Sequence, residues 1–291
     1  MNQKAILLLM MLLGTLVSCE NEEPSSDTQP KLLIKLSVDP NQERLGNLGQ
    51  AVGLPDSHAG QNPMFNSLSA HYLELAPTAN TQLGEGEILY HAPETSVGGE
   101  EAIDFAKSIV KSPGEIWLEL PLSDLKAGSY EWVRLSLSYQ NFDIVFHYDQ
   151  QAYTATLASF VGFNQFIESY ELDGETVAVN ANKKQGYWGF KSLGGIQSGQ
   201  TPEGATTVPN PLAGTSPIPE GSCVVTGNFS SPLLISGNET EDLILDMSLS
   251  INNSFEWVDR NRNNQWDVDE GANENVVDMG LRGLKPSYEW Q

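Results

Sequence analysis

From residue 31 to 38 the chain alternates: Leu32, Ile34, Leu36 and Val38 fall on one parity, Lys31, Leu33, Lys35 and Ser37 on the other. Successive side chains of an extended chain point to opposite faces, so a period of two marks a strand with one face in a core. Asp39-Pro40 closes it. The same period returns at Leu243, Leu245, Met247, Leu249 and Ile251, interleaved with Ile244, Asp246, Ser248 and Ser250. Residues 65–75, 87–91, 115–120, 130–139, 142–148, 153–160 and 176–180 read as further strands, followed by 223–229 and 233–236. Residues 41–64 carry Gly46, Gly49, Gly53, Pro55, Gly60 and Pro63 and read as loop. Ile103, Ala106, Ile109 and Val110 share one helical face, so a short helix is expected over 102–111. From 194 to 222, Pro202, Pro209, Pro211, Pro217 and Pro219 sit among Gly, Ser and Thr, too many prolines for a central strand. A long loop or a subdomain boundary is expected there.

Ahead of the strand at 130, Leu125, Gly128 and Tyr130 resemble the tyrosine corner of Greek-key β-sandwiches, where a Tyr at a strand start bonds back to the preceding turn and a Gly permits that turn. With the strand pattern, the expectation for 31–291 is an all-β fold: a Greek-key β-sandwich with long loops and at most one or two short helices.

Residues 1–18 hold one cation, Lys4, an apolar run from Ala5 to Leu13, and small residues before Cys19. The run is too short to cross a bilayer and has the layout of a cleaved secretory leader. Leu16-Val17-Ser18-Cys19 resembles a bacterial lipobox, which implies cleavage before Cys19, acylation of that residue and stable membrane anchorage by more than one chain. An ordinary leader that happens to contain a Cys is the plainer alternative. Residues 19–30 are acidic and rich in Pro and Ser, with nothing to pack, and read as a disordered tether. Acidic residues directly behind the anchor resemble the surface-export signal of Bacteroidota lipoproteins, with a periplasm-facing outer-membrane location as the alternative.

The formal charge is −23, and −24 once Lys4 leaves with the leader. Such a surface repels phosphate backbones and anionic headgroups, which argues against nucleic acid as a partner and favours cations. With Cys19 acylated, Cys223 is the only remaining thiol, so stability must come from core and bound ions rather than a disulfide.

One stretch carries a metal-ligand spacing. Asp259, Asn261, Asn263, Gln265, Asp267 and Glu270 occupy positions 1, 3, 5, 7, 9 and 12 of a twelve-residue loop, which resembles the Ca2+ loop of an EF-hand. That resemblance implies one side-chain oxygen each from Asp259, Asn261 and Asn263, the Gln265 carbonyl, Asp267 directly or through water, and both oxygens of Glu270. Position 6 needs a left-handed backbone and holds Asn264, the next most tolerant residue after Gly. A strand precedes the loop and no solid helix can follow it, so the likeness is to calcium loops between strands of extracellular β-domains. The alternative is an Asn/Asp turn that solvates a hairpin.

Two aromatic clusters, at 160–166 and 186–190, read as core, with stacking on sugar rings as the alternative. The histidines, His58, His71, His91 and His147, show no local ligand spacing. A copper or zinc site from His58, Met64, His71 and His91 needs the fold to gather them. No nucleophile elbow, zinc-protease motif, phosphate loop or dinucleotide glycine pattern is present.

The lipobox, acidic tether, β-rich body and C-terminal segment from Ser254-Phe255-Glu256-Trp257 to Val276-Val277-Asp278-Met279-Gly280 together resemble Bacteroidota surface lipoproteins that carry no assigned activity. The expectation is a non-enzymatic, lipid-anchored envelope protein with a structural Ca2+ loop, engaging a glycan or protein ligand. A copper or zinc handling protein and a surface hydrolase are the alternatives.

Overall fold

A computed structural model describes residues 29–46, 49–201, 219 and 221–291. The leader, Cys19, the tether as far as residue 28 and most of the Pro-rich 194–222 stretch lie outside the described residues. In chain order the strands are β1 Lys31–Asp39, β2 His58–Gln61, β3 Met64–Ala76, β4 Glu87–His91, β5 Glu94–Thr95, β6 Ala102–Asp104, β7 Ile116–Pro121, β8 Gly128–Tyr148 and β9 Gln151–Phe160. They continue with β10 Asn164–Leu172, β11 Glu175–Lys184, β12 Tyr187–Ser192, β13 Gly195–Gln200, β14 Cys223–Ile235, β15 Leu243–Ser250, β16 Phe255–Val258, β17 Val276–Met279 and β18 Arg282–Trp290. Two 3-10 turns, Phe105–Lys107 and Leu122–Asp124, are the only helical pieces among the described residues. None is long and apolar enough to cross a membrane.

The fold is an all-β sandwich built on one long strand. One edge of β8 pairs with β3; its other edge is shared, with β14 along 128–137 and β9 along 139–148. Where β9 leaves and β14 takes over, the Ser138 carbonyl accepts from Val161 N, Gly162 N and the Gln165 amide, which closes the fork. Consecutive stretches of β8 enter three cores. Val133, Leu135 and Leu137 pack against the sheet β18-β15-β1-β7, whose Leu32, Ile34, Leu36, Leu243, Leu245, Met247 and Leu249 are all buried. Tyr139 joins Phe160, Tyr170 and Tyr187 under β10. Phe142, Ile144 and Phe146 meet Ala59, Phe255 and Trp257 of the sheet β17-β16-β2. Each fully buried large apolar side chain contributes roughly 1.5–3 kcal/mol.

The parity read at 31–38 and 243–251 is the parity that is buried, and β1 lies parallel to β15 in register Leu32↔Leu243. Tyr130 is buried and its hydroxyl donates to the Lys126 carbonyl at 2.6 Å, the tyrosine-corner bond. Gly128, however, is not required by that turn: an added Cβ would meet nothing closer than 3.6 Å.

Other expectations are corrected. The 102–111 helix is a short strand and a single 3-10 turn, flanked by extended Asp104 and Ser108, because Ala102 and Ile103 are buried against β10 while Phe105 turns onto Tyr139 and Phe160. The 41–64 loop contains β2. The strands at 130–139 and 142–148 are one strand, and those at 223–229 and 233–236 are one strand with an irregular register between Asn228 and Leu233. β10 was not foreseen, although Asp173-Gly174, both at positive φ, closes its hairpin with β11 as a left-handed two-residue turn.

Candidate metal centre

His71, His91 and Glu94 meet at one end of β3 and β4. The β3–β8 register shifts between Ala70 and Tyr72, a bulge at His71, and bulges re-aim side chains. Tyr72 pairs with His91 across β3–β4, the His71 carbonyl accepts from Ala92 N at 2.7 Å, and Pro93 then leads directly into Glu94. His71 Nε2 stands 2.9 Å and His91 Nε2 3.3 Å from the same oxygen, Glu94 Oε1. The two imidazole centroids are 4.8 Å apart, and the three donor atoms all lie within 4.8 Å of one another. In a tetrahedral site with bonds of about 2.0–2.1 Å, neighbouring ligand atoms sit roughly 3.3 Å apart. Two of the three separations are therefore near what one ion imposes, and the third lies within 4.8 Å. Among the described residues this is the one group of three His, Cys, Asp or Glu side chains so gathered.

The site is closed on one side and open on the other. The His71 side chain has 0% exposure and lies against the Phe163 ring at 5.3 Å, whereas His91 is 50% exposed. Burial holds His71 below the usual histidine range. The hydrogen bond from His71 holds the Glu94 carboxyl below the usual carboxylate range, against the opposing effect of its partial burial. Neutral imidazole and ionised carboxylate are the forms that ligate a metal. His71 Nδ1 is buried without a hydrogen-bond partner.

Two residues proposed for this set lie elsewhere. His58 bonds Glu256, which also pairs with Arg44 at 2.7 Å, and Met64 is 65% exposed at the start of β3. His147 serves through its backbone, bonding Trp266 O and Val268 N. Glu94 was missed; the local signal was His91-Ala92-Pro93-Glu94, a donor pair three residues apart.

The 259–270 loop is a second cluster. Asp259 is buried, and its two carboxylate oxygens accept from Asn263 N and Asn264 N. Asn261 Oδ1 accepts from Asn263 N and Asn263 Oδ1 from Gln265 N. The amides of Asn261 and Asn263 both donate to Asp267 Oδ2, at 2.7 and 2.9 Å. Asn264 has φ 59° and Arg262 φ 62°, so the left-handed backbone asked of position 6 is present. The structure thus brings Asp259, Asn261, Asn263 and Asp267 together. Gln265 and Glu270 are exposed, and besides Asp259 a second buried carboxylate at this loop is Glu274, which accepts from Arg260 N and Asp267 N. The loop is stitched to the β8–β9 turn by a parallel bridge His147↔Asp267 and by Asp149 N donating to Asp269.

No family model, curated protein or solved structure matches the chain.

Proposed function

We propose that this is a lipid-anchored cell-envelope protein, held at Cys19, that takes up a divalent transition-metal ion, Zn2+ or Cu2+, on His71, His91 and Glu94. The observation that carries this is the convergence of two imidazole nitrogens and one carboxylate oxygen within 4.8 Å of one another, reached from three different strands. Two nitrogens and an oxygen without sulfur suit Zn2+ and Cu2+ rather than Cu+, and the general affinity order puts Cu2+ above Zn2+. Structural zinc sites are closed by four protein ligands. Three ligands with an open side at His91 fit capture and release, the fourth position going to water or to whatever delivers the ion. Equilibrium dialysis and calorimetry with Zn2+ and Cu2+ test this. One ion per chain is expected, and the His71→Ala/His91→Ala double variant is expected to bind about a hundredfold or more weaker, on the order of 2.7 kcal/mol. Unchanged affinity in that variant removes the proposal.

A second ion, Ca2+, is proposed for the 259–270 loop, favoured by the hydrogen bonds that tie Asp259, Asn261, Asn263 and Asp267 into one cluster. The Asn261 and Asn263 amide oxygens each accept one backbone N–H and keep a second lone pair for an ion once the N–H contacts to Asp267 are given up. The ion's role is to brace the loop, and Asp259→Ala is the variant that removes it. In millimolar Ca2+ the protein is expected to melt above its value in EGTA, since a ligand that binds only the folded state stabilises it. The difference is expected to vanish in Asp259→Ala, and equal melting of the parent in both buffers counts against the ion.

A further inference from the structure

Between β12 and β13 on one side and β17 with the 259–270 loop on the other lies a cavity of about 910 Å³. Small-molecule sites run to roughly 300–1,000 Å³. We propose that it binds the pyranose ring of a neutral oligosaccharide.

The walls are aromatic and fixed. Phe190 of β12, Trp266 of the loop and Phe146 of β8 stand with ring centroids 6.1 to 6.4 Å apart. Trp188 completes this lining and pairs with Gly199 across β12–β13. A Cβ at 199 would come within 2.5 Å of the Trp188 indole, so the ring crosses the β13 backbone at a distance that only glycine leaves open. Indole rings held this way present a rigid apolar face of the kind on which the C–H face of a sugar packs.

The rest of the lining mixes apolar side chains such as Val276 and Met279 with four carboxamides, Gln140, Gln185, Gln197 and Gln200. Gln140 is buried and gives its N–H to the Met279 carbonyl; Gln200 at the rim gives its own to Gln185 O at 2.7 Å. Those bonds set the amide planes, and Gln197 adds a further amide from the exposed edge strand. The charged lining residues, Asp278 and Arg282, pair with each other. An ionic ligand therefore finds no counter-charge, and an acyl chain offers no hydrogen bond to the carboxamides and hydroxyls of the lining. A ligand with a flat apolar face and a rim of neutral hydroxyls satisfies both parts of the lining. None of these residues belongs to the His71 cluster, so this proposal and the transition-metal proposal stand or fall separately.

The test is titration of the purified full chain with maltohexaose, cellohexaose and N-acetylchitohexaose, read by tryptophan fluorescence and calorimetry, with palmitate alongside. Saturable binding of at least one of the three sugars at millimolar concentration or below is expected, weakened about tenfold or more by Trp188→Ala, retained in large part by Trp188→Tyr. Gln197→Ala, on the edge strand, carries the same test should Trp188→Ala fail to fold. Binding of none of the three sugars, equal binding in parent and both alanine variants, or Trp188-dependent binding of palmitate alone overturns the proposal.

Discussion

Glu74→Ala is expected to lose about 3–5 kcal/mol of stability, because it leaves a buried charge unpaired. Glu74 has 0% exposure and Arg134 4%, with Nη1 to Oε1 at 3.3 Å. The same carboxylate accepts from the Tyr72 hydroxyl at 2.8 Å, Gly84 N at 2.7 Å and Gly86 N at 2.8 Å. Arg134 also bonds the Thr81 carbonyl. Together they pin the 77–86 connection onto β3 and β8, so closely that a Cβ at Gly86 would fall 2.3 Å from Leu75 O. Alanine strands the guanidinium, the phenol and two backbone N–H groups in a dry interior. Thermal and urea unfolding should show a fall in Tm on the order of 10 °C. The discriminating variant is Glu74→Leu/Arg134→Met: replacing both charges by apolar groups is expected to cost less than either single alanine change, since no charge is then left uncompensated. A double variant as unstable as the sum of the two singles would show that the two charges are not coupled, contrary to this account.

Phe160→Ala is the second large effect, again about 3–5 kcal/mol, from lost transfer energy and the cavity left behind. Phe160 is fully buried at the end of β9, with ring centroids of Tyr139, Phe105, Tyr170 and Tyr187 at 5.0 to 5.5 Å. It is the centre of the core beneath β10 and β11, which otherwise hold to the body through the two-residue parallel pairing of β10 with β6, the Gln165–Ser138 bond and the Lys191 pairs with Asp173 and Glu175. Hydrogen exchange should accelerate first in 164–184, while the β1 and β15 amides, packed in a different core, keep most of their protection. Uniform acceleration across both cores would mean the layers do not open separately.

How far the chain was readable follows from how local each signal is. β1 and β15 were legible because one face of each is buried and the alternation runs along it. β8 was split in two at Gln140-Asn141, since polar side chains in mid-strand look like a turn; both are in fact buried, Gln140 bonding Met279 O and Asn141 the Tyr139 hydroxyl. β12 and β13 were hidden by glycine, and Gly189 and Gly199 are there because Tyr170 and Trp188 press on those backbones. The aromatic clusters divided accordingly: Phe160 and Tyr187 went to core, while Trp188 and Phe190, on the other parity from Tyr187 or beyond it, went to a cavity wall.

By itself the sequence determined what depends on neighbours along the chain: the strand faces, the all-β class, the tyrosine corner, and the 259–270 loop, whose oxygen-bearing residues need only each other and a permissive Asn264. Backbone period and turn chemistry act over a few residues, so they can be read in order. The tertiary structure alone decided what depends on register between distant strands. His71 meets His91 and Glu94 only through the β3 bulge and the β3–β4 pairing, and His58 is drawn instead to Arg44 and Glu256. Glu274 comes to the loop as a buried carboxylate beside Asp259, and Gln140 reaches Met279 from far along the chain. Strand registers are set by which faces bury on both sides of a sheet at once, a condition satisfied jointly by many residues and visible in none of them singly.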